Sequence, residues 1–236
     1  MAEFAFDCVD IAPMPCGAGP TLVARLRVAE TTGASVQAIA LRCQVRVEPT
    51  ARGYGEEERA RLCALFGGTA RWSRSLRAFP VATVSVMVGS FAGSTEAELH
   101  IPVSYDLEVA AGRYFHALRA GVVPLSLQFS GTAFLSTLAG PRVERVPWHL
   151  MAAYRLPVPV WRELMDSYFP GQAWIRLRRE TVDAVAHYKA ANSLGCWDDA
   201  ILALLTAAGV ATPAESGTVA AGMVASGSAA AGTGAP

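Results

Sequence analysis

The sequence predicts an α+β protein, in which an antiparallel β-sheet or sandwich is followed by two or three C-terminal helices packed on one face. Two observations lead to this prediction. Apolar and polar residues alternate through much of the region before residue 157, and a period of two residues is typical of half-buried strands. After Pro157 the apolar residues recur every three to four positions, which is the period of an amphipathic helix.

The first strands are predicted from this alternation. Phe4, Phe6 and Cys8 share one face of a strand, which a stretch rich in proline and glycine over 13–20 ends. Two further strands are separated by a turn around Gly33. Their inward residues are Leu22, Ala24, Leu26 and Val28 in one, and Ile39, Leu41, Cys43, Val45 and Val47 in the other. Because the turn is short, these two strands are expected to pair as a β-hairpin.

Two helices are expected within the β-rich part. The first begins with three glutamates at 56–58, which suit the positive end of a helix dipole, and runs to Phe66 before a glycine pair. The second is predicted over 110–118. Further strands are predicted at 81–88, around 99–103 and at 125–134, and 143–154 is expected to be a neighbour of the last of these.

The helical part is predicted over 158–208. Its first helix carries Val160, Leu164 and Tyr168 on one stripe, and Pro170 follows its end. A short extended piece over 174–177 comes next, Thr181 is expected to cap the following helix, and 198–208 forms the last. We therefore expect a single domain over 3–208, β-rich over 3–156. The region 211–236 consists almost entirely of small and uncharged residues, so a disordered tail is expected there.

Charge and composition restrict the classes of function. Twenty basic residues balance twenty acidic ones, so the basic excess of a typical nucleic-acid-binding protein is lacking. A net charge of zero lowers colloidal solubility and favours a protein partner or a homo-oligomer. With no export signal and no run of 18 apolar residues, we expect a cytoplasmic protein without a membrane span. The five scattered cysteines are expected to be buried free thiols.

The sequence contains no recognisable catalytic, metal-binding or nucleotide-binding motif, so we expect a protein that is not an enzyme and has no cofactor. Two carboxylate pairs, Glu96 with Glu98 and Asp106 with Glu108, would each share one face of a strand. A solvated strand face is the simpler interpretation of both pairs, although paired carboxylates also serve in acid–base catalysis. An enzyme with a site assembled from dispersed residues stays open as a hypothesis, and its candidates are Asp106, Arg113 and His116.

Two groups of side chains are candidates for contact with a partner protein. The aromatic group is typical either of a core where helices cover a sheet or of an exposed groove that captures a partner. It consists of Trp148, Trp161, Tyr168, Phe169 and Trp174. The basic group could hold a carboxylate, because arginine presents two donors side by side; a solvated face with local ion pairs is the alternative. It consists of Arg176, Arg178 and Arg179, next to Glu180.

Two segments carry a resemblance to a known family. They are LRVAETTGASVQAIALRCQVRVEP at 26–49 and VPWHLMAAYRLPVPVWRELMDSYFPGQAWIRLRRETVDA at 146–184. They resemble an uncharacterised actinobacterial family, a domain of unknown function whose genes often lie beside those of high-affinity uptake nickel–iron (NiFe) hydrogenases. The likeness extends roughly over residues 3–208.

The family resemblance implies a genomic setting and brings no catalytic residue with it. In that setting we expect a non-enzymatic accessory or assembly protein, chaperone-like in action. Its partner would be a hydrogenase subunit or a maturation factor. The alternative is a structural subunit that oligomerises or docks onto an enzyme complex.

The order of elements after Pro157 shows a weaker likeness. A strand is followed by a helix containing Arg162 and Glu163, a turn at Phe169 and Pro170, and a helix around Asp183. This order is similar to the C-terminal layout of the export chaperone SecB, which holds unfolded clients in apolar grooves. The likeness is a structural analogy and supports only the chaperone-like expectation.

Overall fold

Antiparallel strands make up the sheets of this protein and most helices come later in the chain, so the α+β prediction is confirmed. The computed structural model describes residues 2–103, 112–137, 140–172 and 177–210. Contacts between Cα atoms divide the chain into two units, 1–176 and 177–236. The single domain over 3–208 stays a prediction, and the predicted tail lies outside the described residues.

The first sheet contains strands β1 (Phe4–Pro13), β2 (Thr21–Glu30) and β6 (Ser94–Pro102), in the order β1–β2–β6. All neighbours in this sheet are antiparallel. The alternation predicted from the sequence is confirmed here, because the residues predicted to face inward on β1 and β2 are buried while Arg25 and Arg27 are exposed.

The second sheet is larger and is centred on two long strands, β3 (Ser35–Val47) and β7 (Val122–Thr137). Its path is β4–β3–β7–β8, while β5 pairs with β3 and β9 with β7. The remaining bounds are Phe79–Val88 for β4, Phe91–Ala92 for β5, Gly140–Val146 for β8 and Met151–Pro157 for β9. The predicted strand over 143–154 is therefore two strands, because the turn over 147–150 interrupts it and both parts pair with β7.

The two sheets bury their inner faces against each other and form a β-sandwich. Buried side chains of both sheets belong to one apolar cluster. The ring of Phe6 on β1 stacks on that of Phe129 on β7, with centroids 4.4 Å apart. At one side of the sandwich the Tyr154 hydroxyl of β9 donates a hydrogen bond to the Asp10 carboxylate of β1 at 3.2 Å.

Strands β2 and β3 do not pair, so the predicted β-hairpin is wrong. Strand β2 lies between β1 and β6, whereas β3 belongs to the other sheet. Alternation shows that a strand has one buried face, and a sandwich satisfies that pattern as well as a hairpin does. The connection crosses about 10 Å between the stacked sheets. The buried Glu30 carboxylate organises this crossing, because it accepts hydrogen bonds from the backbone N–H groups of Thr32 at 3.0 Å and Ala34 at 2.7 Å.

Gly131 permits the close approach of β3 and β7 at the centre of the second sheet. Its φ is +156°, and a Cβ atom at this position would lie 2.2 Å from the carbonyl oxygen of Ala40. The spacing of the two strands therefore requires a glycine here. Glycine inside a strand often marks a place where another backbone approaches closely.

The helices of the first unit lie between and after the strands. Helix α1 (Glu56–Phe66) begins with the three glutamates and ends at Gly67, as predicted. Two short 3-10 turns, Pro49–Ala51 and Thr69–Arg71, and the single-turn helix α2 (Trp72–Ser75) were not expected. Helix α3 (Arg113–Ala117) lies within the predicted range 110–118, whose first two residues are outside the described part. Helix α4 (Val158–Tyr168) buries Val158, Trp161 and Leu164.

The second unit contains helices α5 (Arg179–Ala191) and α6 (Trp197–Ala207), which contact each other. The prediction that Thr181 caps a helix is wrong, because Arg178 is the N-cap and the N–H of Thr181 already bonds to its carbonyl at 3.0 Å. Arginine and glutamate are good helix formers, so the helix starts before the threonine. The predicted extended piece over 174–177 lies outside the described residues except for Leu177.

Candidate functional site

The aromatic residues of the predicted partner-binding group do not form one surface. Trp161 is buried, and its ring stacks on that of Phe115 with centroids 4.2 Å apart and planes 12° apart. Trp148 lies in the turn between β8 and β9 and is 84% exposed. Trp174 lies outside the described residues. Of the two tryptophans of this group that the structure describes, one is therefore core and the other faces solvent.

Tyr168 and Phe169 lie at the C-terminal end of α4 and are both half-buried. The Tyr168 hydroxyl donates a hydrogen bond to the carbonyl of Gly17 at 2.9 Å, which ties α4 to the loop after β1. The two rings are 6.5 Å apart. Tyr168 therefore has a structural role that the spacing of apolar residues along α4 did not reveal.

The basic group lies at the start of the second unit. Arg178 and Arg179 are exposed at the N-terminal end of α5, and Arg176 lies outside the described residues. Positive charge at a helix N-terminus interacts unfavourably with the helix dipole. The two arginines therefore do not stabilise α5 through the dipole. They are available to a carboxylate of another molecule.

The second unit exposes large apolar side chains, and we call them the α5–α6 surface. Between 36% and 51% of each of these side chains is accessible, and Ala200 is the one buried residue of α6. Its members are Leu177, Val182, Trp197, Ile201, Leu202, Leu204, Leu205 and Val210. On α6 the spacing of Trp197, Ile201, Leu204 and Leu205 places them on one stripe. Ala200 is thus buried, whereas more than a third of each large apolar residue of α6 is accessible to solvent, so these residues keep apolar surface that a partner could cover.

A buried polar cluster, which sequence reasoning missed, joins the segment before α1 to the end of α3. Arg52 donates to both carboxylate oxygens of Glu58 at 3.0 Å and to the carbonyl of Val122 at 3.2 Å. Glu58 also accepts from the backbone N–H of Arg119 at 2.9 Å. The spacing showed Glu58 only as one of three acids in a first turn, and no pattern distinguished it from its exposed neighbours.

Two tyrosines extend this cluster into the core. The Tyr54 hydroxyl is 2.6 Å from the carbonyl of Pro49, to which it donates, and 2.8 Å from the hydroxyl of Tyr114. Burial raises the pKa of both phenols, and for Tyr114 the hydrogen bond with Tyr54 adds to the effect. The hydroxyls are therefore neutral at physiological pH, and their hydrogen bonds connect the segment before α1 to α3.

The residues proposed for a dispersed catalytic site are not gathered by the structure. Arg113 and His116 are both exposed on α3, and Asp106 lies outside the described residues. Within the described ranges no group of three or more His, Cys, Asp or Glu is placed to hold a metal ion. The positions of Arg113 and His116, the two candidates that the structure describes, give no geometric support to the hypothesis of a dispersed site.

The paired glutamates of β6 form an exposed strand face, as the simpler interpretation expected. Glu96 lies 3.9 Å from Arg27, and Glu98 lies 3.6 Å from His100. All four side chains are at least half exposed. Such pairs stabilise a fold only weakly because solvent screens them. Asp106 and Glu108 lie outside the described residues.

The prediction of buried thiols is confirmed for two of the five cysteines. Burial raises the pKa of both Cys8 and Cys43 to about 12, so these thiols are unreactive at neutral pH. Cys63 is half-buried, while Cys16 and Cys196 are exposed, so the prediction is wrong for the last two. Cys196 caps α6, because its sulfur accepts a hydrogen bond from the backbone N–H of Asp199 at 3.3 Å.

In the part of the chain that the structure describes, no helix is long and apolar enough to cross a membrane. No curated protein matches the sequence.

Similar solved structures include the solution structure of the late embryogenesis abundant (LEA) protein At2g46140.1, at 13% identity and a TM-score of 0.32. That match covers 70% of this chain and 75% of the other. β-Glucosidase 3B from Thermotoga neapolitana, in complex with α-D-glucose, matches at 12% identity and a TM-score of 0.25. That match covers 65% of this chain and 17% of the glucosidase. At these TM-scores neither likeness bears on the activity of this chain.

A protein-family model matches residues 1–213, which include both the sandwich and the α5–α6 pair. The model is described as a family of unknown function, DUF6084. Because the match extends over most of the 236 residues, the chain belongs to the DUF6084 family.

Proposed function

We propose that this protein is a non-enzymatic accessory or assembly factor that binds another polypeptide through the α5–α6 surface, in a chaperone-like manner. The observation that carries the proposal is the exposed apolar surface of the large residues of α6, such as Ile201 and Leu205, more than a third of which is accessible to solvent. The resemblance to proteins encoded beside NiFe hydrogenases suggests the partner, which would be an immature hydrogenase subunit or a maturation factor.

The energetics of a helix pair support a binding role. Short helices are marginally stable in water, and in proteins most of their stability comes from packing an apolar face against something else. Each Å² of apolar surface removed from water contributes about 25 cal/mol. Covering the part of Trp197, Ile201 and Leu204 that is still exposed would therefore add free energy to the binding of a partner.

The two arginines at the start of α5 would orient the partner on this apolar surface. Arg178 and Arg179 are exposed and precede Val182, a member of the α5–α6 surface. A polar rim around an apolar centre is the usual arrangement of a binding surface. Charges at the rim alter the association rate and the choice of partner more than the final affinity.

The test uses the full chain with two variants of α6. Ile201→Asp/Leu205→Asp places charges on the apolar stripe, whereas Thr206→Asp adds a charge to an exposed position of the same helix. Each tagged protein is coexpressed with the NiFe hydrogenase large-subunit precursor encoded in the same genome, and the complex is recovered on the tag. We expect recovery with the wild type and with Thr206→Asp and none with the double variant. Failure of the wild type to retain this precursor would refute the large subunit as the partner, and a pull-down from the native host that recovers no maturation factor either would refute the hydrogenase assignment.

A second assay tests the holding activity without naming the partner. The full chain is mixed with chemically denatured citrate synthase, and light scattering follows aggregation after dilution. The wild type and Thr206→Asp should suppress aggregation and Ile201→Asp/Leu205→Asp should not. Equal suppression by all three proteins would show that the α5–α6 surface is not the binding site.

Self-association is the second candidate role, because the α5–α6 surface could be covered by the same surface of another copy. Two such helix pairs would form a four-helix bundle, in which apolar faces meet at the centre. Light scattering coupled to size-exclusion chromatography distinguishes the candidates. A dimer that Ile201→Asp/Leu205→Asp dissociates would support the structural role, and a monomer at micromolar concentration would support the accessory role.

A further inference from the structure

The second sheet has an outer face, on the side opposite the sandwich core, to which five strands contribute. Direct pairing places side chains of neighbouring strands on the same face of a sheet. Met87 of β4 is opposite Ala40 of β3, Ala40 is opposite Thr132 of β7, and Thr132 is opposite Arg145 of β8. Strand β9 extends the same face, because its Met151 is opposite Gln128 of β7. We call this surface the outer face of the second sheet.

All the charged side chains that these strands present on the outer face are arginines. The only carboxylate within the strands is Glu144, which is opposite the buried Ala133 and therefore belongs to the inner side. Strands β4 and β7 carry no charge at all. The basic residues of the outer face are Arg42, Arg46, Arg145 and Arg155.

Three of these arginines have no acidic partner within the described part of the chain. Arg42, Arg145 and Arg155 are exposed and form no ion pair there. Arg46 is half-buried and donates to Gln44 at 3.4 Å and to the carbonyl of Ala78 at 3.2 Å, so neither contact neutralises it. Glu48, the residue after β3, accepts a hydrogen bond from the Ser126 hydroxyl at 2.7 Å and forms no ion pair with these arginines within the described residues.

Exposed apolar side chains lie among the arginines. Phe134 on β7 and Val143 on β8 are directly opposite each other, and Met87 and Met151 lie on strands to either side. These four side chains are between 41% and 64% exposed. Methionine adapts its shape to different partners, so it suits a surface that binds a polypeptide. The outer face thus combines apolar contact area with positive charge.

The outer face of the first sheet has the opposite character. Each of its two arginines is flanked by carboxylates on both neighbouring strands. Arg27 lies between Asp7 and Glu96, and Arg25 lies between Asp10 and Glu98. The net charge of zero therefore conceals an uneven distribution among the described residues, because the arginines of one face have ion-pair partners there and those of the other face have none.

We infer that the outer face of the second sheet is a docking surface for an acidic segment of another polypeptide that also carries apolar side chains. The argument is charge complementarity, because exposed guanidinium groups without partners bind carboxylates through paired hydrogen bonds. A nucleic acid fits less well, since the chain has no basic excess to attract a phosphate backbone. This inference concerns a different surface from α5–α6 and is independent of the proposed function.

The test selects binders of the full chain from a random peptide library displayed on phage. Enriched peptides are then measured by fluorescence anisotropy against the wild type, Arg42→Glu/Arg145→Glu, and Arg25→Glu/Arg27→Glu. The last variant is a matched control, because it makes the same charge change at exposed strand positions on the opposite face. Circular dichroism verifies that all three proteins are folded, and single-stranded oligothymidylate serves as a nucleic-acid probe.

We expect the enriched peptides to be rich in Asp, Glu and apolar residues, and to bind Arg42→Glu/Arg145→Glu at least about tenfold more weakly than the other two proteins. The inference is overturned if no peptide is enriched, if the enriched peptides are neutral or basic, or if they bind both double variants equally. If Arg42→Glu/Arg145→Glu abolishes binding of oligothymidylate and the control variant does not, the partner of this face is a nucleic acid and not an acidic polypeptide. If the wild type self-associates and the same variant does not, the partner of this face is a second copy of the chain.

Discussion

The guanidinium of Arg52 lies 3.0 Å from both carboxylate oxygens of Glu58, and each side chain is only 9% exposed. The next residue of α1 toward its N-terminus, Glu57, forms an ion pair with Arg119 at 3.4 Å but is 71% exposed. Two adjacent glutamates of one helix turn thus make ion pairs in opposite environments, and they offer a direct comparison.

Replacing Glu58 with glutamine should lower the free energy of unfolding by about 3 kcal/mol, because it leaves the largely buried Arg52 without a countercharge. Urea denaturation at neutral pH measures the change. Glu57→Gln is the control and should alter stability only slightly, since solvent screens that pair. Equal effects of the two substitutions would contradict the assignment of Glu58 as a buried partner of Arg52.

Glu30 should make the stability depend on pH. Burial by itself would raise the pKa of this carboxyl, but the hydrogen bonds donated by Thr32, Ala34 and Glu3 outweigh burial and hold the pKa below its ordinary value. A carboxyl whose pKa is lower in the folded state stabilises the fold above the unfolded-state pKa, and this stabilisation is lost as the pH falls through the folded-state pKa.

At neutral pH we therefore expect Glu30→Gln to cost about 1–3 kcal/mol in the free energy of unfolding, because its neutral amide cannot accept all of these bonds. The difference between wild type and variant should shrink as the pH falls below the ordinary carboxyl range. Denaturant titrations at several pH values give both curves, and the exposed Glu98→Gln serves as a control. A difference that is constant with pH would show that Glu30 is not ionised in the fold.

The two described tryptophans of the aromatic group should respond differently to truncation. Trp161→Ala removes a buried ring that stacks on Phe115, so we expect a loss of about 3–5 kcal/mol in stability. Trp148→Ala removes a solvent-facing side chain and should leave the unfolding midpoint nearly unchanged. Thermal unfolding of both variants provides the measurement. A large loss for Trp148→Ala would mean that this side chain is covered by the fold.

The cysteines should fall into distinct classes of reactivity. Cys16 and Cys196 are exposed and should react rapidly with a chromogenic disulfide reagent at mildly alkaline pH. Cys8 and Cys43 should react only when the protein unfolds, because burial raises the pKa of each thiol to about 12. The half-buried Cys63 should react at an intermediate rate. Mass spectrometry identifies the labelled residues, and early labelling of Cys43 would contradict its place in the core.

The faces of the strands were predictable, but their partners were not. The alternation at Phe4, Phe6 and Cys8 correctly indicated the buried side of β1, because burial of one face imposes a period of two. The same alternation in β2 and β3 suggested a hairpin, although the two strands lie in different sheets. The crossing between them depends on the hydrogen bonds of Glu30, which leave no periodic signal in the sequence.

The residues of the candidate surfaces could be picked out in the sequence, but their exposure and their neighbours could not be predicted from it. Trp148 and Trp161 are close in sequence and similar in chemistry, yet one is exposed and the other is core, because the turn after β8 and the buried side of α4 present them to different surroundings. The arginines at 42 and 145 are far apart in sequence and lie on the same face only through the register of β3, β7 and β8.

The sequence by itself determined the α+β class, the inward side of the first strands and the start and end of α1, because each depends on local spacing, helix-dipole preference or a stopping glycine. The tertiary structure alone decided which strands pair and that Arg52 meets Glu58. It also decided that, among the described residues, the outer-face arginines of the first sheet have ion-pair partners and those of the second sheet have none. These features depend on contacts between residues distant in the chain, and the period of a strand or helix does not encode such contacts.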